Sequence, residues 1–453
     1  MRSILPSPRA AGALWRDAKL RAIAWQAALL AALAYGGYGL YATTRDNLSR
    51  RGIASGFGFL GSEAGFGISE TPPIPLPSAG LGLALGALGL GAMLLWLWTR
   101  RVSGRVDVIA TALLLVALPV IAVVAFDAKL SADSYVPEHD YAFALATGFA
   151  NTIKIAAIGC VAATLLGLAI GLASQSGNPL LRALARVYVE AFRNVPLLIQ
   201  IVFWYFGVLR ALPGVRDSFV PFGIFVLNNR GVFLPAPLAG PGLAAVASAV
   251  LAGLIVAWFT QRWADRRQAA SGHRPPAVVL GLLAIATPVV AAIAVFGPPV
   301  VFEHPRLAGF NYVGGLQLTP EYGALLFGLT LYTAAFIAEI VRAGLESVPR
   351  GQVDAARALG LTRAQALRRV VLPQALRVIV PPLIGQYLSL TKDSSLGFVI
   401  AYPELVSVGN TMINHTGQAI EVLVLLMAAY MALNLATSAA MNRYNAITRW
   451  PER

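Results

Sequence analysis

The sequence predicts an all-α membrane protein, and three observations predict it. Of the 453 residues, 57% are hydrophobic and only 12% charged, with a mean hydropathy of +0.68. That is more apolar surface than one water-soluble core hides. The apolar residues also gather into ten runs of the length that crosses ~30 Å of hydrocarbon as a helix, about 20 residues. Finally, the basic residues are sorted by side. With the ten runs alternating from a cytoplasmic N-terminus, 23 of the 35 Lys and Arg fall on the cytoplasmic side, seven outside and five within spans. Basic flanks favour the cytoplasm, so this topology is preferred to its inverse and places both termini in the cytoplasm. The formal charge of +14 is therefore mostly topological and is no sign of nucleic-acid binding. Arg45, Arg50 and Arg51 run against the trend.

In chain order, the runs cover 22–41, 79–98, 108–126, 147–173, 187–211, 243–259, 277–296, 321–341, 375–392 and 421–441. The first is long for a signal-peptide core and lacks a clear small-residue cleavage pattern, so it reads as a retained helix. Residues 47–78 are rich in Gly and then Pro, which predicts an exposed or lid-like loop. From 147 onward the spans carry polar residues that are expensive in hydrocarbon and are expected to face a bundle interior: Asn151, Lys154, Glu190, Arg193, Gln200, Glu339, Lys392 and Asp393. The runs 243–259 and 277–296 hold mainly Ala, Val, Leu and Gly and read as accessory scaffold. No internal repeat stands out.

Several chemistries lack their residues. His139, His273, His304 and His415 are scattered over expected loops with no metal-ligand spacing, and Cys160 is the only cysteine, so no intrachain disulfide forms. None of the four lysines, Lys19, Lys129, Lys154 and Lys392, follows a glycine, so the chain has no P-loop and any ATP-driven work needs a partner. No nucleophile, metal or paired-acid constellation marks a membrane enzyme. The expectation is a non-catalytic chain with no cofactor of its own.

Between runs eight and nine, DAARALGLTRAQALRRVVLP (354–373) is too structured to be a simple connection. Val353, Ala355, Ala356 and Leu359 recur near one face at helical spacing, with Asp354 and Arg357 as a three-apart pair. Gly360 supplies a left-handed cap, Thr362 and Gln365 have capping-box spacing, and Leu372-Pro373 is expected to end the second helix. Two short helices at a fixed bend make a rigid elbow.

That elbow resembles the EAA loop of ABC importer permeases, on Asp354, Ala355, Ala356, Gly360, Leu372 and Pro373. Asp354 stands where the family usually has Glu. YVEAFRNVPLLIQIVFWYFGVL (188–209), LYTAAFIAEIVRAGLESVPRGQ (331–352) and QYLSLTKDSSLGFVIAYPELVSVGN (386–410) resemble the histidine/glutamine type of polar amino-acid permease. NLSRRGIASGFGFL, LNNRGVFLPAP (227–237), AGFNYVGGLQLTPEYGALL (308–326) and NHTGQAIE (414–421) are similar to the Q-type subunit of general L-amino acid importers, the Aap/Bzt group. The likeness covers most of 20–71 and 140–450, and 72–133 departs from it as a two-span insertion.

The resemblance implies two parts: 1–139, with N-terminal helices, a periplasmic loop and the insertion, and 140–453, a permease domain. A five-helix type I ABC importer core is implied, built from runs four, five, eight, nine and ten, with 350–373 as the loop that couples to ABC ATPase subunits. ATP and Mg would sit on that ATPase. A second, M-type permease subunit and a periplasmic amino-acid-binding protein would complete an importer of polar L-amino acids in a bacterial inner membrane. A zwitterionic cargo needs partners for both its charges, which makes Thr391, Lys392, Asp393, Ser394 and Ser395 path or gate candidates, with Gln200 a further one. Lys392 and Asp393 neutralising one another or a neighbouring helix is an equal alternative. Glu190 with Arg193 and Glu339 with Arg342 are three apart, as structural or transmission pairs, and Pro196 predicts a kink. An ion-gradient-driven secondary transporter or channel is the competing function, which the ATPase-docking elbow argues against.

Overall fold

Two parallel helices in close contact organise the chain: α2 (Tyr141–Ser174) and α7 (Pro320–Glu346). Gly167 and Gly171 of α2 sit so tightly on Ile337 and Val341 of α7 that an added Cβ would lie 2.7 Å from either side chain. Small residues four apart let membrane helices approach this closely, where packing rather than water exclusion drives association. The α2 helix begins earlier than the run 147–173 because Asp140 caps it, accepting a hydrogen bond from Phe143 N at 2.8 Å. In the computed structural model, residues 18–50, 52, 55–68, 135–273 and 275–448 are described.

Around that pair run the other helices. The α1 helix (Ala18–Arg50) is exposed along its length. The amphipathic α3 (Pro179–Asn194) meets α4 (Leu197–Leu209) at a bend of 102°. A hairpin of α5 (Leu243–Ser271) and α6 (Ala277–Phe296) packs mainly on itself. After α7 come the short α8 (Arg350–Ala358) and α9 (Arg363–Ala366), a π turn over Leu367–Val371, and α10 (Leu372–Asp393). A 3-10 segment, Ser394–Ile400, leads to α11 (Leu405–Thr416), and α12 (Ala419–Thr448) closes the described chain. The main core joins α2, α4, α7 and α10 through Ile155, Ile201, Leu329, Ile337 and Leu390. A second cluster joins α2, α11 and α12 through Ala144, Leu405, Met412 and Val422.

Loops at the end of α7 opposite the elbow hold seven short strands among the described residues. Here β1 (Val226–Asn228), β2 (Gly231–Leu234) and β7 (Leu316–Leu318) form an antiparallel sheet, Val232 facing Leu318. The strands β3 (Ala236–Ala239) and β4 (Val300–Glu303) pair across the base of the α5–α6 hairpin, Ala239 facing Val300, and β5 (Arg306–Ala308) pairs with β6 (Asn311–Val313).

Eight of the ten expected spans fall on described residues: six as single helices and two as pairs bent by 102° and 49°. The runs 79–98 and 108–126, and with them nearly all of the 72–133 insertion, lie outside the described residues. Three expectations need correction. The run 187–211 is not one gently kinked helix: α3 ends at Asn194, and α4 leaves it at 102° after Pro196. The loop after α1 is not lid-like where it is described, since Ala64 and Phe66 are buried with Tyr141 in the second core cluster. Nor are all four histidines in loops, because His415 lies in α11 with its ring 5.2 Å from that of Phe66.

Candidate functional site: the elbow, the bent span and a charged groove

The elbow is fixed by backbone chemistry. Gly360 has φ +76, and the N–H groups of Gly360 and Leu361 donate to the carbonyls of Arg357 (2.9 Å) and Ala356 (3.1 Å). This paired closure of a helix end, a Schellman motif, requires the left-handed residue at Gly360. The next helix starts on the expected capping box: Thr362 N donates to Gln365 Oε1 (2.9 Å), and Gln365 N to Thr362 Oγ1 (3.3 Å). Ala356 is buried, while Asp354, Ala355 and Leu359 face outward, Leu359 at 82% exposure. Leu359 thus does not share the buried face with Ala356. Asp354 and Arg357 approach to 3.9 Å with both side chains exposed, a weak surface pair.

Leu372-Pro373 does not stop the helix. The π turn over Leu367–Val371, in which Leu372 N donates to Leu367 O, widens the spiral just ahead of Pro373, and α10 runs on from it. Proline lacks an amide proton and its ring crowds the carbonyl four residues back, and a wider turn relieves both.

The path candidates sit at the far end of α10. Thr391 Oγ1 donates to Tyr387 O and Ser394 Oγ to Thr391 O, both at 2.8 Å, so both hydroxyls are engaged by their own chain. Ser394 is buried, Ser395 and Asp393 are half-buried, and Lys392 is exposed on this chain and in no ion pair among the described residues. The structure therefore brings Thr391 and Ser394 together but does not pair Lys392 with a carboxylate. Gln200 lies elsewhere. Its Nε2 donates to the carbonyls of Phe192 and Val195, 2.9 Å each, stitching the α3–α4 break.

The expected pairs differ. Arg342 binds Glu339 bidentately and also Glu346 (2.6 Å), and Gln175 Nε2 donates to Glu346 Oε1 (2.7 Å), linking the ends of α2 and α7 beside the elbow. Glu190 and Arg193 form no ion pair; the Arg193 guanidinium instead lies 5.1 Å from the centre of the Phe336 ring. Glu190, Arg193 and Glu339 do not face a bundle interior: with Arg182, Arg186 and Arg342 they line a groove of about 770 Å³ under α3. Opposite that groove, Leu180, Leu184 and Val187 of α3 are exposed at helical spacing. Asn151 and Gln200 are buried, as the sequence suggests.

Sequence reasoning missed a buried polar junction at the second bend. Asn151 Nδ2 donates to Pro403 O (2.9 Å), Leu405 N donates to Thr152 Oγ1 (3.0 Å), and Glu404 takes bonds from α11 and α12. Its one sequence signal was Pro403-Glu404 interrupting an apolar stretch.

The family model for "Binding-protein-dependent transport system inner membrane component" matches residues 163–447, which hold the last third of α2, the helices α3 to α7, the elbow and the bent span. The chain belongs to that family. As such it is a multi-pass membrane permease subunit, the non-catalytic component, and carries no cofactor itself. This permease is 38% identical over 426 residues to the putative amino-acid ABC transporter permease protein YhdX of Escherichia coli (strain K12), covering 93% of each chain. It is 43% identical over 329 residues to the general L-amino acid transport system permease protein AapQ of Rhizobium johnstonii, 72% of this chain and 82% of the relative. A crystal structure of an amino acid ABC transporter with histidines is 20% identical, covering 68% of this permease and 94% of that chain, with a TM-score of 0.41.

Proposed function

We propose that this permease imports polar L-amino acids across a bacterial inner membrane by alternating access, driven by a separate ABC ATPase that grips the 352–373 elbow. Asp354, Ala355, Ala356, Gly360, Leu372 and Pro373 form the coupling element, and ATP and Mg belong to the ATPase. The observation that carries the reading is the elbow's construction: a doubly capped bend between two membrane helices with Ala355 and Leu359 facing outward. Small and apolar outward residues on a rigid bend suit insertion into a cleft. Thr391, Lys392, Asp393, Ser394 and Ser395 are the path candidates, with Lys392 exposed on this chain. Gln200 has a lesser part, because its amide nitrogen is already spent on the α3–α4 break. Glu339 and Arg342 anchor the elbow to α2. A periplasmic binding protein delivers the cargo, residues 140–453 form the transport domain with α5 and α6 as accessory helices, and both termini are cytoplasmic.

Uptake by the reconstituted complex tests this. Amino-acid accumulation is expected to stop when ATP is removed with a proton gradient intact. Accumulation that continues under that gradient alone would instead make the chain a gradient-driven carrier. Copurification through this chain should bring down the ATPase and an M-type mate, and a complex holding two copies of this chain and no mate would refute the heteromeric pairing.

A further inference from the structure

The bend between α10 and α11 is held by polar groups of its own and of two other helices, α2 and α12. Ala401 has φ +58 without being glycine, a conformation that an L side chain keeps only when its surroundings over-determine it. Asn151 and Thr152 of α2 hold the carbonyl of Pro403 and the amide of Leu405. Between them Glu404, fully buried, accepts from the backbone N–H groups of Val406 and Ser407 (2.8 Å each) and from the hydroxyl of Tyr430 in α12 (3.2 Å).

Capping a helix needs only a short Ser, Thr, Asp or Asn. A carboxyl group buried in an apolar bundle is expensive, and well-packed apolar residues usually stabilise such a site as well or better. Stability alone therefore does not explain Glu404; a demand for one defined bend does. Two further buried atoms at the junction, Asn151 Oδ1 and the Tyr402 hydroxyl, find no hydrogen-bond partner among the described residues. They leave bonding capacity that a second arrangement of the bend can use. Just before the bend, Phe398 and Val399 turn outward, about half exposed.

We propose that Glu404 is a positioning residue for transport: by tying the first turn of α11 to α12 it makes Ser394–Ile400 move as one unit, with Phe398 and Val399 on its leading face. The inference rests on the alternating-access reading above and names the element that moves.

The test uses the complex purified through this chain, with Cys160→Ser and a reporter Phe398→Cys, and a membrane-impermeant maleimide. Labelling rates are compared without nucleotide and with ATP plus vanadate, and are expected to differ about fivefold or more, the scale of a typical coupling between sites. Tyr430→Phe keeps the backbone bonds to Glu404 and is expected to bring that ratio toward one and to slow uptake, while assembly and unstimulated ATP hydrolysis persist. Glu404→Gln should do the same more strongly; if it does not assemble, Tyr430→Phe decides. An unchanged ratio and unchanged uptake in Tyr430→Phe overturn the proposal. So does a reporter that ignores nucleotide in a complex whose uptake is ATP-driven. A native complex that accumulates amino acid without ATP overturns the transport reading instead, which keeps the two failures apart.

Discussion

The α2–α7 pair and the α5–α6 hairpin are both close helix pairs with glycine at the contact, yet they differ in what surrounds them. At the first, Gly167 and Gly171 lie inside a core that also engages α4 and α10. At the second, Gly253 meets Ile285 just as closely, with the Ile285 Cα 2.7 Å from where a Cβ would stand, but among the described residues the hairpin touches little else. Local tightness is thus the same, and only the number of elements behind it separates a keystone from an appendage.

The largest expected effect lies in the keystone. Gly167→Leu forces a side chain into Ile337 and the Ala334 carbonyl and should destabilise the chain by about 3 kcal/mol or more, read as loss of monodisperse complex on fluorescence size exclusion. Gly253→Leu should open the hairpin and leave the melting of the core in place; equal losses at both glycines would break the distinction.

The elbow sharpens the comparison by separating function from stability. Leu359→Asp, at an exposed position, should shift the melting temperature negligibly, within about 0.5 kcal/mol, while ATP-driven uptake falls to background. Gly360→Val disturbs the bend itself and should cost about 1–2 kcal/mol, because φ +76 strains any residue with a Cβ. Smaller still is Glu339→Gln, which leaves Arg342 bound to Glu346; less than about 1 kcal/mol is expected for this partly exposed pair, measured as a change in thermal midpoint. Least of all should come from excising the hairpin. Because Ala239 and Val300 face one another in register, an Asn-Gly turn in place of Gly240–Pro299 joins β3 to β4 as a simple hairpin. The core should then melt unchanged.

Sequence showed these regions unequally. Hydropathy located every span that falls on described residues, because apolar run length is a local property. The elbow was legible for the same reason: Gly360, Thr362 and Gln365 act within a few residues of themselves. The Leu372-Pro373 stop was misread because a π turn, which no residue type announces, takes up the proline. Pro196 announced a disruption but not its 102°, where Gln200 joins carbonyls five and eight residues earlier. The Glu404 junction left little local sign, since Asn151 and Thr152 of α2 lie more than 250 residues from the backbone groups they hold, and Tyr430 of α12 lies 26 residues from Glu404. The strands were missed because three or four residues are too few to show alternation.

The absorbed proline has a mechanical meaning. From Arg363 to Asp393 the backbone is one unbroken rod, about 45 Å at 1.5 Å per residue, with the elbow at its foot. Swinging its base by about 5° would sweep the tip through about 4 Å, as far as a small side chain reaches. Pro381 and Pro382, midway along, give no amide proton to the carbonyls of Arg377 and Val378, so the shaft is weakest there. Any bending under load should concentrate at that pair and spare the rest.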